Sequence, residues 1–196
     1  NSDRNMAKQK NYIKALIDKH VDGLIFVNSE VDEEDISILI KNKIAVVLNE
    51  PTHIDQVDEV WIDYEKSSKE MTEYLLSLGH RRISLINGPS HLKRCKERLN
   101  GFIAAHREAN LTVDLSLVKN GDFSSECSYK FINELLELDE PPSCVFTTDF
   151  MALGVLNAAF DRGLKIPEDL SVAGFDNVVS SRPRLTTIDH PSYDMG

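Results

Sequence analysis

Residues 163–176, GLKIPEDLSVAGFD, constrain the fold of this chain more than any other stretch. Gly163 suits the left-handed residue that closes a helix, and Pro167 shortly beyond it keeps the helix from restarting. Leu170–Phe175 is a short, uncharged and nearly continuous apolar run, the pattern of a strand buried on both faces. Asp176 stands where that strand ends. In open parallel α/β sheets, ligands bind beyond the carboxyl ends of the strands. An acid at that place is a candidate acceptor for a ligand's hydrogen bonds.

The same construction recurs along the chain. Val60-Trp61-Ile62 runs into Asp63, Val118 through Gly121 into Asp122 and Phe123, and Cys144-Val145-Phe146 through Thr147 and Thr148 into Asp149. Helix capping accounts for Asp63 or Asp149 taken singly, because each precedes a helical pattern. Four such acids in one chain point to a polar cleft. Around them, helical spacing of apolar residues marks 5–19, a short segment at Ile36, Leu39 and Ile40, then 64–78, 92–109, 125–138 and 150–163. Between these lie apolar runs at Val21–Val27, Ile44–Leu48 and Ile83–Ile86. Strand and helix alternate with short connections, so the predicted fold class is α/β, with parallel sheet flanked by helices on both faces. Gly79-His80-Arg81-Arg82 breaks the rhythm. It reads as a helix C-cap with a solvated strand start, or as a crossing between two sheets.

Charge limits the partners. The net charge is −10, so these residues repel a phosphate backbone. No apolar run approaches a membrane span. Cys95, Cys127 and Cys144 are odd in number and lack paired spacing, which favours a reducing, cytoplasmic compartment over a disulfide framework or a zinc site. The six histidines are scattered, and phosphate-loop, dinucleotide and nucleophile-elbow patterns do not occur. Neither a cofactor nor an enzymatic activity is expected.

Five short runs occur in order: GHRRISLINGP (79–89), RLNGF (98–102), TDFMALG (148–154), IPEDLSVAGFDN (166–177) and PRLTTIDHP (183–191). Together they resemble the effector-binding core of the LacI/GalR family of bacterial transcription regulators, from about Val21 to the C-terminus. The resemblance implies two Rossmann-like subdomains of the periplasmic-binding-protein type, with a small effector in the cleft between them. It divides the chain into an N-terminal subdomain (1–79), a C-terminal subdomain (80–186) and a crossover (187–196). It also implies a homodimer, and an operator-binding helix-turn-helix carried on a segment ahead of Asn1. The chain would then be a fragment, with its basic surface elsewhere.

Carried over residue by residue, the family's effector contacts fall on Arg98, Phe123, Thr148, Asp149, Asp176 and Asp63. A guanidinium at 98 can fork onto adjacent hydroxyls or a carboxylate. An aromatic at 123 can stack on the apolar face of a sugar or purine. Asp176 accepts from ligand hydroxyls, Asp149 both caps a helix and borders the cleft, and Asp63 lies near the subdomain junction. Three departures stand out: Thr148 where Asn or another polar group is frequent, Ser128 in place of a glycine, and Asn110 in place of a helix-ending glycine. The implied effector is a sugar or related polyol, sensed without catalysis. Arg98→Ala or Asp176→Asn is expected to weaken its binding while leaving the unliganded melting temperature nearly unchanged. An extracytoplasmic sugar-binding protein is the alternative, distinguished by a signal peptide. A sugar-processing enzyme would need a carboxylate pair at work, and a phosphoprotein co-regulator would need no clamp at Arg98.

Overall fold

The computed structural model describes residues 6–27, 31–178 and 184–190. They form two compact units that divide between Ile62 and Asp63. Residues 183 and 191 of the last family run, and 191–196 of the expected crossover, lie outside the described residues.

The first unit contains α1 (Met6–Asp18), β1 (Gly23–Phe26), α2 (Glu33–Lys41), β2 (Ala45–Leu48) and β3 (Asp58–Glu59). The three strands form a parallel sheet in the order β1-β2-β3. Ile36 and Leu39, one helical turn apart, bring the apolar stripe of α2 onto Ile44, Val46 and Leu48, and Ile13 of α1 joins the same core. One expected strand is corrected here. Val60-Trp61-Ile62 is not a strand; the pairing falls earlier, at Asp58 and Glu59 against Val47 and Leu48. The backbone N–H of Val60 still donates to the Leu48 carbonyl at 2.9 Å, and the chain then leaves the sheet with Trp61 exposed. Hydrophobicity alone misled at this place: Val60 and Ile62 are half-buried without pairing as a strand.

The second unit opens with α3 (Tyr64–Ser77) and continues through β4 (Ile83–Asn87), α4 (Lys93–Glu108), a 3-10 turn at Leu115–Leu117, β5 (Val118–Asn120) and α5 (Ser125–Leu135). It ends with β6 (Cys144–Thr147), α6 (Asp149–Asp161), β7 (Ser171–Asp176) and β8 (Thr186–Asp189). All five strands are parallel, in the order β5-β4-β6-β7-β8. Helix α3, placed by sequence with residues 1–79, packs in this unit, and β8 pairs with β7 inside the same sheet.

Both faces of this sheet are covered, which explains its uncharged central strands. Alternation along each strand sorts the side chains. Ile83, Leu85, Phe146 and Phe175 meet α3 and α4, while Ile86, Val145 and Val172 meet α5 and α6. Polar groups facing the second layer are paired: Thr147 Oγ1 donates to the Ile86 carbonyl at 2.6 Å, and Ser84 Oγ to that of Leu117 at 2.8 Å.

Each helix pair is fastened in the same way. On one face Ser68 Oγ of α3 donates to the Arg98 carbonyl of α4 at 2.7 Å, and a Cβ at Gly101 would strike the Glu65 carbonyl. On the other, Ser128 Oγ of α5 donates to the Met151 carbonyl of α6 at 2.6 Å, and a Cβ at Gly154 would strike the Ser125 carbonyl. Helix ends follow the expected chemistry. Gly79, Asn110 and Gly163 all have positive φ just beyond α3, α4 and α6, and each donates its N–H back to a carbonyl of the last turn. The Gly79 turn is thus a helix cap; the two sheets part ahead of α3.

Candidate functional site

Strand order reverses between β4 and β6, which places a crevice at their carboxyl ends. Asn87, the last residue of β4, organises one side. It is buried, its Nδ2 donates to the Cys95 carbonyl at 2.7 Å, and its Oδ1 accepts from the Gly88 N–H at 3.0 Å and from Arg98 Nη1 at 3.1 Å.

Arg98 is only 2% exposed. Its guanidinium lies 4.5 Å from the ring centre of Phe175 and 5.6 Å from that of Tyr64, rings that stack on each other at 5.7 Å. Of its donors, Nη1 meets Asn87 and the buried Nε has no partner. Burial pulls its pKa down, and the Asp176 carboxylate opposes that shift. A guanidinium in this position makes Arg98→Ala a core truncation, so the expectation that it would leave folding untouched is corrected. The reason is the aromatic stack, whose two members lie far apart in sequence.

Asp176 ends β7 with φ +103°, followed by Asn177 at +52°. This turn presents a half-buried carboxylate with no hydrogen-bond donor among the described residues. Burial raises its pKa; Arg98 and then His190 counteract that. Asp149 behaves differently. It is 1% exposed, and both oxygens are engaged: Oδ1 accepts from Thr187 Oγ1 at 2.7 Å and Oδ2 from the Val178 N–H at 2.9 Å. The absent side chain of Gly174 leaves room for that carboxylate. Asp149 does not cap α6. Thr148 occupies the cap position, makes no capping bond, and is buried with its Oγ1 unpartnered.

Phe123, at φ +69°, lays its ring where a Cβ on Gly88 would stand, beside the end of β4. The Arg94 guanidinium is 5.2 Å from that ring centre. The neighbouring Asp122 is tied into its own turn by Ser124, whose N–H and Oγ donate to Oδ1 at 2.9 and 2.6 Å and hold its pKa down. Asp63 is exposed and caps α3, accepting from the Lys66 N–H at 2.8 Å. No hydrogen bond links it to the other candidates among the described residues.

Arg98, Asp176, Thr148, Asp149 and Phe123 thus gather at the carboxyl ends of β4, β6 and β7. Sequence reasoning missed Asn87, Tyr64, Arg94 and Thr187. Asn87 could have been found as the one polar residue closing the apolar run of LINGP. Among the described residues no cluster of His, Cys, Asp and Glu is placed to hold a metal ion. Burial pushes the Cys144 thiol up to about 12, which makes it unreactive. No helix among the described residues is long and apolar enough to cross a membrane.

Residues 72–196 match the periplasmic binding protein-like domain family. Catabolite control protein A of Priestia megaterium is 37% identical over all of this chain and 61% of its own length. The HTH-type transcriptional repressor CytR of Escherichia coli K12 is 37% identical over 96% of this chain and 57% of its own. The chain therefore spans about six-tenths of the curated relatives it matches. A LacI-family transcriptional regulator from Enterococcus faecium with bound ribose superposes with a TM-score of 0.83 at 27% identity, over 100% of this chain and 72% of that one.

Proposed function

The chain belongs to the periplasmic binding protein-like domain family, and on that premise we propose that it is the ligand-sensing core of a LacI-type transcription regulator. The observation that carries this is the concentration of unspent hydrogen-bonding capacity at one sheet edge. Arg98 keeps an unpartnered Nε and Thr148 an unpartnered hydroxyl, and the half-buried Asp176 carboxylate accepts no hydrogen bond from the described residues. Buried polar groups left unpaired cost stability, and a ligand that pairs them recovers it. Donor fork, hydroxyl and acceptor side by side suit adjacent hydroxyls on a small ring, with Phe123 available for its apolar face. The ribose held by the Enterococcus faecium regulator supports a sugar-like effector.

In this proposal Arg98, Asp176, Thr148 and Phe123 touch the effector. Asp149 braces the end of β7, and Asp63 sets the start of α3. The matched relatives, a control protein and a repressor, support sensing in the cytoplasm rather than catalysis. Operator binding belongs to a segment outside these residues, in a homodimer, and effector binding acts by shifting the population between DNA-binding states. Calorimetric titration of the full-length protein with pentoses, hexoses and nucleosides tests this. Arg98→Met, which keeps the packed volume, Asp176→Asn and Thr148→Val should each weaken binding at least tenfold, with circular dichroism unchanged. Unaltered affinity in all three would reject the site.

A further inference from the structure

Asn87 is a polar residue in a place that the strand pattern gives to an apolar one. Alternation along β4 sends Ile83, Leu85 and Asn87 to the same face, and Asn87 is only 1% exposed. A buried amide costs stability unless its groups are bonded, and here they are. The backbone carbonyl accepts from the Gly121 N–H at 2.7 Å, which anchors the residue in the sheet. Nδ2 donates to the Cys95 carbonyl, and Oδ1 accepts from the Gly88 N–H and from Arg98 Nη1. These neighbours fix the amide, because turned over it would set its own N–H groups against two donors.

What lies beyond Arg98 gives that hold its meaning. Arg98 is buried, Asp176 is half-buried, and each shifts the ionisation of the other. Opposite charges attract strongly away from water, and a guanidinium beside a carboxylate ordinarily closes on it with two hydrogen bonds. Among the described residues no ion pair joins these two. The one hydrogen bond that the guanidinium makes among them goes to Asn87 at 3.1 Å, while Phe175 and Tyr64 lie against it at 4.5 and 5.6 Å. An uncharged amide anchors the guanidinium without neutralising it.

We propose that Asn87 is the positioning residue of this site: it holds the Arg98 guanidinium off Asp176, so that both charges stay open to the effector. This rests on the sensing function proposed above and adds the device that keeps its binding groups apart. Closed on each other, Arg98 and Asp176 would offer a ligand neither donor fork nor acceptor, and binding would first have to break their pair. Gly88 belongs to the same device. Its N–H is bonded to the same Oδ1, and its missing Cβ leaves room for the Phe123 ring. One amide oxygen therefore sets both the guanidinium and the backbone beside that ring.

Carbon-detected NMR titration of Asp176 in the full-length protein tests the hold without any ligand. His190 and Arg94 also pull this pKa down and Asp149 pushes it up, but all three are common to every variant. Asn87→Ala releases the guanidinium to close on Asp176 and should lower its pKa by about 1–2. Asn87→Ser, polar but too short to reach Nη1, should do the same. In the Arg98→Met background neither change should move it. Asn87→Asp keeps an acceptor for Nη1, adds a negative charge, and should raise the Asp176 pKa. General loosening would instead expose Asp176 and lower its pKa in every variant, whatever stands at position 98. An unchanged pKa in Asn87→Ala and Asn87→Ser, a fall that persists in the Arg98→Met background, or a fall in Asn87→Asp overturns the proposal. Calorimetric titration with ribose separates the hold from the sensing function. Asn87→Ala should weaken ribose binding at least tenfold, as should Asp176→Asn. Binding sensitive to Asp176→Asn but indifferent to Asn87→Ala rejects the hold and leaves the sensing function standing. Binding indifferent to both rejects both.

Discussion

Helices α3 and α4 on one face of the five-stranded sheet are joined by the same device as α5 and α6 on the other. In each pair a serine hydroxyl donates to a carbonyl of the partner helix, and a glycine one turn later lets the backbones touch. The difference lies in what the fastened carbonyl's residue does with its side chain. On one face it is Arg98, whose guanidinium lies beside Asp176 at the sheet edge; on the other it is Met151, which fills the core. The helix starts also diverge: α4 opens on bare cations, α6 on an acid already bonded to Thr187 and Val178. The glycines of RLNGF and TDFMALG therefore report helix packing, and one turn upstream of them stand a buried guanidinium in one helix and a core methionine in the other.

The largest effects should come from the glycines. Gly101→Ala and Gly154→Ala force a methyl into a carbonyl and should each cost about 3 kcal/mol in urea unfolding. Only Gly101→Ala should also weaken effector binding, because it displaces Arg98; an equal loss in Gly154→Ala would erase the functional difference between the faces. Next is Asp149→Ala, which strands the Thr187 hydroxyl and the Val178 N–H and should cost about 2–4 kcal/mol by the same measurement. Ser68→Ala and Ser128→Ala each remove one buried hydrogen bond and should cost about 1–2 kcal/mol. Similar values would show that the two clamps are equivalent.

The smallest effect is electrostatic. Burial raises the pKa of Asp176, so its contribution to stability is present below the unfolded value and is lost as pH rises through the folded one. Asp176→Asn should slightly raise the unliganded melting temperature at neutral pH. Asp122 is shifted the other way by Ser124, so its contribution exists above the unfolded value and disappears as pH falls through the folded one. Carbon-detected NMR should find Asp122 titrating at lower pH than Asp176, and the reverse order would contradict the placement of both carboxylates.

Local chemistry made parts of this molecule readable in advance. The uncharged run before Asp176 announced β7, and Gly79, Asn110 and Gly163 ended their helices where left-handed geometry requires a tolerant residue. What stayed hidden depends on residues distant in the chain. Asp149 looked like a cap because its true partners, Val178 and Thr187, lie 29 and 38 positions away. Arg98 read as a ligand clamp alone, because Tyr64 and Phe175, which enclose its guanidinium, come from two other elements. Val60-Trp61-Ile62 carried the hydropathy of a strand, yet the ladder pairs Asp58 and Glu59 and leaves Trp61 exposed.

The aromatic enclosure of Arg98 has a consequence for how binding responds to electrolyte. Mobile ions approach an exposed charge closely and weaken its field within roughly 8–10 Å at physiological ionic strength, but they cannot enter the space between Tyr64, Phe175 and the guanidinium. The attraction exerted by Arg98 should therefore persist as salt is raised, while that of the half-exposed Arg94 fades. Raising the ionic strength would strip away one charge's contribution and leave the other's intact.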